Sequence, residues 1–119
     1  ILKGASEKVD NLGKQIESKY GKLKTLDEIR PTYYHQEDCM NTMPEAFECF
    51  LESKDYESCI RNVMYIGGDT DTLGAIAGAI AEAYYGIPED LIKECRRRLP
   101  EDMLRVIDEF EEYFTNNKE

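Results

Sequence analysis

Asp69, Asp71 and Thr72 put two carboxylates and a hydroxyl within four consecutive residues. Hard oxygen donors at that density suit a hard divalent cation such as Mg²⁺, with water or substrate oxygens completing the shell. On a first helical turn, positions 69 and 72 lie near one face. Position 71 joins them only if the backbone at 69–70 leaves helical geometry. Gly67 and Gly68, just upstream, permit such a departure because glycine reaches backbone angles closed to other residues. The same three residues also read as a reinforced helix start. Asp and Thr are favoured N-caps, and the helix dipole favours negative charge there. Spacing alone leaves both readings open.

The element that must carry these groups is the helix expected over Leu73–Gly86. Gly74, Gly78, Ala75, Ala79 and Ala83 recur four apart and line adjacent strips, where small side chains let another backbone come close. Only Glu82 is charged between Thr72 and Gly86, which predicts burial on most sides. Upstream, Val9, Leu12, Ile16 and Tyr20 mark an amphipathic helix over 6–20, with Ser6 as a candidate cap and Gly21 as its stop. Thr25–Glu28 can begin a short helical turn that Pro31 ends. Tyr33-Tyr34-His35 reads as a loop with a partly buried aromatic anchor; one histidine without a paired nucleophile is weak ground for catalysis. Thr42 and Glu45 form an expected capping box with Pro44 in the first turn. That helix runs to about Ser53, and another comes after it with Cys59, Ile60, Val63 and Met64 at helical spacing. Two proline-initiated helices complete the chain, opened by Pro88-Glu89-Asp90 and Pro100-Glu101-Asp102. The first carries Leu91, Ile92, Cys95 and Leu99 and closes on Arg96-Arg97-Arg98, read as dipole compensation and salt bridging. The last presents Met103, Ile107, Phe110 and Phe114 on one face, and Thr115–Glu119 is expected to fray. The fold class is therefore all-α, a compact bundle of about five to six helices.

The run Gly67–Gly86, GGDTDTLGAIAGAIAEAYYG, resembles the C-terminal metal-binding motif of the ADP-ribosylglycohydrolase family. Met43-Pro44-Glu45-Ala46-Phe47, Phe50–Ser53 and Ile60–Val63 resemble the segment upstream of that motif. Ile87-Pro88-Glu89 and Leu99-Pro100 resemble the segment downstream of it. The resemblance extends from about Val9 to about Phe110. It implies a magnesium-dependent hydrolase that cleaves the glycosidic bond between ADP-ribose and a protein side chain or small acceptor. It assigns Asp69, Asp71 and Thr72 as ligands of a two-Mg²⁺ centre. The remaining ligands of the family come from a Thr-Asp-Asp motif near the N-terminus, and no such triplet exists here. Residues 1–119 then read as a single partial domain, the C-terminal segment of a longer enzyme supplying half of the metal site. Opening on Ile1 rather than methionine agrees with an excerpt or a processed form. The implied partners are an ADP-ribosylated protein or an ADP-ribose-like small molecule, with a complementary N-terminal chain or self-association completing the site. The alternatives are a non-catalytic binding or structural protein of the same fold, and an inactive truncated fragment.

At 119 residues the chain is one domain at most. A net charge of −10 argues against non-specific binding to nucleic acid or to a membrane surface. Cys39, Cys49, Cys59 and Cys95 contain no C-x-x-C pair, and His35 is the one histidine, so zinc spacing is absent. Cys49, Cys59 and Cys95 fall among apolar helical positions, which favours buried, reduced thiols. With no apolar run of membrane-spanning length and no signal-peptide pattern, the expected location is cytoplasmic.

Overall fold

Glycines and capping acids set where each helix begins and ends. A computed structural model describes residues 3–117, and among them it holds seven helices and no strand. These are α1 (Lys3–Tyr20), α2 (Leu26–Ile29), α3 (Cys39–Leu51), α4 (Tyr56–Ile66), α5 (Thr70–Tyr85), α6 (Glu89–Arg98) and α7 (Glu101–Asn116). The all-α class is as expected, with the short α2 as the added segment. The chain divides into two units between Gly86 and Ile87.

In the first unit, α5 packs against both α3 and α4, and these three helices form the centre. Leu73, Ala77 and Ala81 of α5 are buried against Ala46, Cys49 and Phe50 of α3 and Cys59, Val63 and Ile66 of α4. Full burial of a side chain such as Leu73 contributes about 1.5–3 kcal/mol. Polar ties join the three helices: Asn62 Nδ2 donates to the Cys49 carbonyl at 2.9 Å, and Tyr85 Oη donates to the Ser53 carbonyl at 2.9 Å. Leu26 and Ile29 of α2 reach the same core, and Val9 and Leu12 of α1 pack on its edge.

Several expectations are corrected. α3 starts at Cys39, four residues ahead of the position that a Thr42 cap would give, because Asp38 is the better cap. Its carboxylate accepts from the Asn41 backbone N–H at 3.0 Å and also holds the Asn41 side-chain amide. Thr42 is buried inside the helix, and Pro44 leaves the Met40 carbonyl without its helical donor. Likewise α1 starts at Lys3, so Ser6 lies within it. Burial of α5 is one-sided: Ala75, Ala79 and Ala83 face solvent, while Gly78 takes the close approach of α4. Met64 is exposed. All four cysteines are free thiols; Cys49 and Cys59 are buried, but Cys39 and Cys95 are exposed.

The second unit contains α6 and α7. Both begin at proline N-caps with acids in the first turn, which complements the helix dipole. The Arg96–Arg98 triplet is spent on ion pairs: Arg97 and Arg98 hold Glu94, pulling its carboxyl down to about 2, and Arg96 holds Asp108. Along α7, Ile107 is half-buried, while Met103, Phe110 and Phe114 of the expected stripe are exposed. α7 continues through Asn116; Lys118 and Glu119, part of the expected fraying end, lie outside the described residues.

One acid of the first unit is buried beside another acid. Glu48 is 9% exposed on α3, next to Glu52, whose carboxylate accepts from the Leu26 backbone N–H at 3.3 Å. Burial, then hydrogen bonding to Glu52, pushes the Glu48 carboxyl up from 4.5 to about 7. Between those values the folded chain retains a proton that the unfolded chain has released. This contribution is therefore present at low pH and lost as pH rises through about 7. Urea-unfolding midpoints should fall between about pH 5 and about pH 8, and Glu48→Gln should remove most of that slope. A wild-type midpoint that stays flat over the range would contradict the buried acid.

Candidate functional site

The α4–α5 junction is built by two consecutive residues with positive φ. Gly67 has φ 77° with ψ −144°, a conformation essentially confined to glycine, and Gly68 has φ 71°; residues held at such sparsely populated angles cost about 1–3 kcal/mol. The two glycines turn the chain from α4 and deliver Asp69 to the N-cap of α5. Gly68 is also pressed from outside. A Cβ there would lie 2.5 Å from Tyr33 Cε1 and 2.8 Å from Tyr33 Cδ1. At Gly67 a Cβ would meet nothing within 4 Å.

Of the three predicted ligands, Asp69 caps α5 and Asp71 and Thr72 lie on its first turn. Hydrogen bonding to the Asp71 side chain, then to the Thr72 side chain, holds the Asp69 carboxyl below its ordinary value, with further help from the Thr72 backbone and the charge of His35. The backbone cap itself is poor. Thr72 N lies 3.5 Å from Asp69 Oδ1, at the outer limit for a hydrogen bond. The other two aspartate caps of the chain are shorter, 2.7 Å for Asp55 to Ser58 N and 3.0 Å for Asp38 to Asn41 N. Asp69 therefore caps its helix more weakly than its counterparts do. Asp71 and Thr72 are exposed on the first turn of α5.

Asp69 and Thr72 line a cavity of about 340 Å³. Its opposite wall is the loop leading into α3, with His35, Glu37, Asp38 and Cys39, and its floor includes Thr42 and Ile76. Nothing in the spacing of these loop residues marks them in the sequence as lining a site. His35 Nε2 sits 3.4 Å from Glu37 Oε1. Behind the loop, Tyr33 Oη and Glu45 Oε2 are buried without a hydrogen-bond partner. Burial, then the nearby Glu45, pushes the Tyr33 phenol up to about 12.

The donors fit a hard cation in kind, being oxygens only. They do not close a shell. Among the described residues no group of three or more His, Cys, Asp or Glu side chains is placed to hold a metal. Two carboxylates and one hydroxyl make part of a coordination sphere.

An all-α chain whose glycine turn delivers paired carboxylates to the mouth of a small-residue helix narrows the class considerably. The ADP-ribosylglycohydrolase family profile matches residues 3–119, and the chain belongs to that family. ADP-ribosylhydrolase ARH3 of Homo sapiens is 36% identical over 77 residues, covering 53% of this chain and 21% of the human protein. The Mus musculus protein of the same name is 38% identical over 68 residues, covering 45% of this chain and 18% of its own length. The ADP-ribosyl-dinitrogen reductase glycohydrolase of Rhodospirillum rubrum is 29% identical over 72 residues, covering 58% of this chain and 24% of its own length. The chain thus spans about a fifth to a quarter of the curated relatives it matches. No solved structure matches it.

Substituting the two glycines should separate backbone strain from contact. Gly67→Ala should cost about 1–3 kcal/mol, the positive-φ backbone penalty alone. Gly68→Ala should cost clearly more, because its methyl also meets the Tyr33 ring. Chemical denaturation of the two variants checks this; equal losses would show that the ring yields freely.

Proposed function

We propose that this chain supplies the C-terminal half-site of a magnesium-dependent ADP-ribosylglycohydrolase, which hydrolyses the bond between ADP-ribose and a protein side chain or small acceptor. The observation that carries the reading is that Asp69 and Thr72 line a cavity, with Asp71 between them in the chain, on a turn whose backbone cap is stretched. Asp69, Asp71 and Thr72 would hold the ions. Bound Mg²⁺ supplies Lewis-acid charge that orients ribose hydroxyls and an attacking water. The chain's own residues act by position. Gly67 and Gly68 aim the turn, the two carboxylates present concentrated negative charge, and the loop carrying His35 lines one side of the cavity. The three are ligands in this account, not the nucleophile.

The incomplete donor set favours a second reading. A chain with two carboxylates and one hydroxyl, spanning about a fifth of its relatives, also suits a non-catalytic member of the same fold or an inactive fragment. A complementary chain carrying the N-terminal ligands, or self-association, would restore the first reading.

Calorimetric titration of Mg²⁺ into the chain, with and without ADP-ribose, tests the half-site. Weak binding is expected, and Asp71→Asn should reduce it by about tenfold or more, the scale on which metal-site groups matter. Release of ADP-ribose from modified arginine and serine peptides should be absent for this chain alone and appear on adding a complementary chain. Robust turnover by the chain alone would show that the missing ligands are dispensable and the half-site account wrong.

A further inference from the structure

The stretched cap at Asp69 does not fix the turn by itself, and a second set of contacts lies behind it. α2 is closed by a capping box between Thr25 and Glu28, and the Tyr33 backbone N–H donates to the Ile29 carbonyl at 3.0 Å. From α2, two side chains grip the last turn of α4. Asp27 Oδ1 accepts from Tyr65 Oη at 2.7 Å, and the Arg30 guanidinium lies over the Tyr65 ring at 4.4 Å. Tyr65 stands two residues before Gly67. Past the turn, the Tyr33 ring seats on the bare Cα of Gly68, one residue before Asp69. The Tyr33 ring packs against the buried core, whereas its buried hydroxyl has no partner. The place therefore uses the ring and not the oxygen.

We propose that Tyr33 is a positioning residue for the Asp69–Thr72 turn: its ring, seated on Gly68, fixes the backbone from which Asp69 and Thr72 face the cavity. The inference rests on reading that turn as a cation site. Arg30 and Asp27 hold the entry to the turn, Tyr33 holds its exit, and the acids between them are kept together without a strong cap of their own. A loose turn would let the two carboxylates relax apart into solvent, since like charges in proximity repel.

Mn²⁺ is the probe, titrated into the whole 119-residue chain by calorimetry, with circular dichroism and thermal melts on every variant. Tyr33→Phe keeps the ring and should bind within about twofold of wild type. Tyr33→Leu, folded by circular dichroism, should bind about tenfold or more weakly, the usual loss when a group that orients metal ligands is removed. A folded Tyr33→Leu that binds like wild type overturns the proposal, as does equal loss in the Phe and Leu variants. If Tyr33→Leu does not fold, Gly68→Ala probes the same contact from the other side. It should weaken Mn²⁺ binding well beyond Gly67→Ala, which also sits at positive φ but meets no ring; equal effects overturn the proposal. Wild type failing to bind Mn²⁺ is a distinct result, which removes the cation site and this inference with it.

Discussion

At Gly78 the central helix has no side chain to hold its neighbour away. A Cβ there would come 3.3 Å from Tyr56 Oη and 3.4 Å from Ile60 Cδ1, so α4 lies against bare backbone. Along the same side of α5, Leu73, Ala77 and Ala81 are buried. That close approach fixes the direction of α5 relative to α4. The link between the two helices must then reverse within a few residues, which is why two glycines at positive φ stand there in succession. The acid turn is a consequence of helix packing before it is anything chemical.

Packing also explains why the turn can hold charge. A helix N-terminus favours negative side chains within its first turn. Asp69 and Asp71 both fall there, and the helix dipole partly offsets the cost of bringing them close. Among the described residues no lysine or arginine is paired with them, although His35 lies near enough to help Asp69 ionise. Elsewhere the chain neutralises its acids locally. Glu57 takes Arg61, Glu89 takes Lys93, and Glu94 takes Arg97 and Arg98. The contrast matters because surface pairs contribute little to stability, about 0–1 kcal/mol, yet they show where charge has been answered.

Much of this was legible in the residues. The helix over Thr70–Tyr85, its glycine entry and its stop at Gly86 can be read from spacing and from the absence of charge. Legibility failed where two local signals competed. Thr42-x-x-Glu45 reads as the helix start, but Asp38 caps the helix and Thr42 is buried inside it. It failed again where composition had to stand for environment. A helix with a single charge looks buried all round, but alanine is small enough to sit in water at little cost, so Ala75, Ala79 and Ala83 are exposed. Tyr33 reads in the sequence only as part of a partly buried aromatic anchor; its contact with a glycine thirty-five residues away leaves no periodicity behind.

The electrostatics of the cavity constrain any function assigned to it. Its walls bring Glu37, Asp38 and Asp69 together with His35, on a chain of net charge −10. A diphosphate-bearing ligand meeting those walls directly would face carboxylates on two sides. The helix N-terminus offsets about half a unit charge, which is too little to reverse the sign. Favourable binding of an anion at this place therefore requires positive charge from outside the chain, whether from divalent cations held by the acid turn or from a partner's basic residues. The acids are in this sense compatible with an anionic ligand only where such positive charge offsets them. A binding protein that dispensed with the cation would have to replace the carboxylates, and this chain retains both.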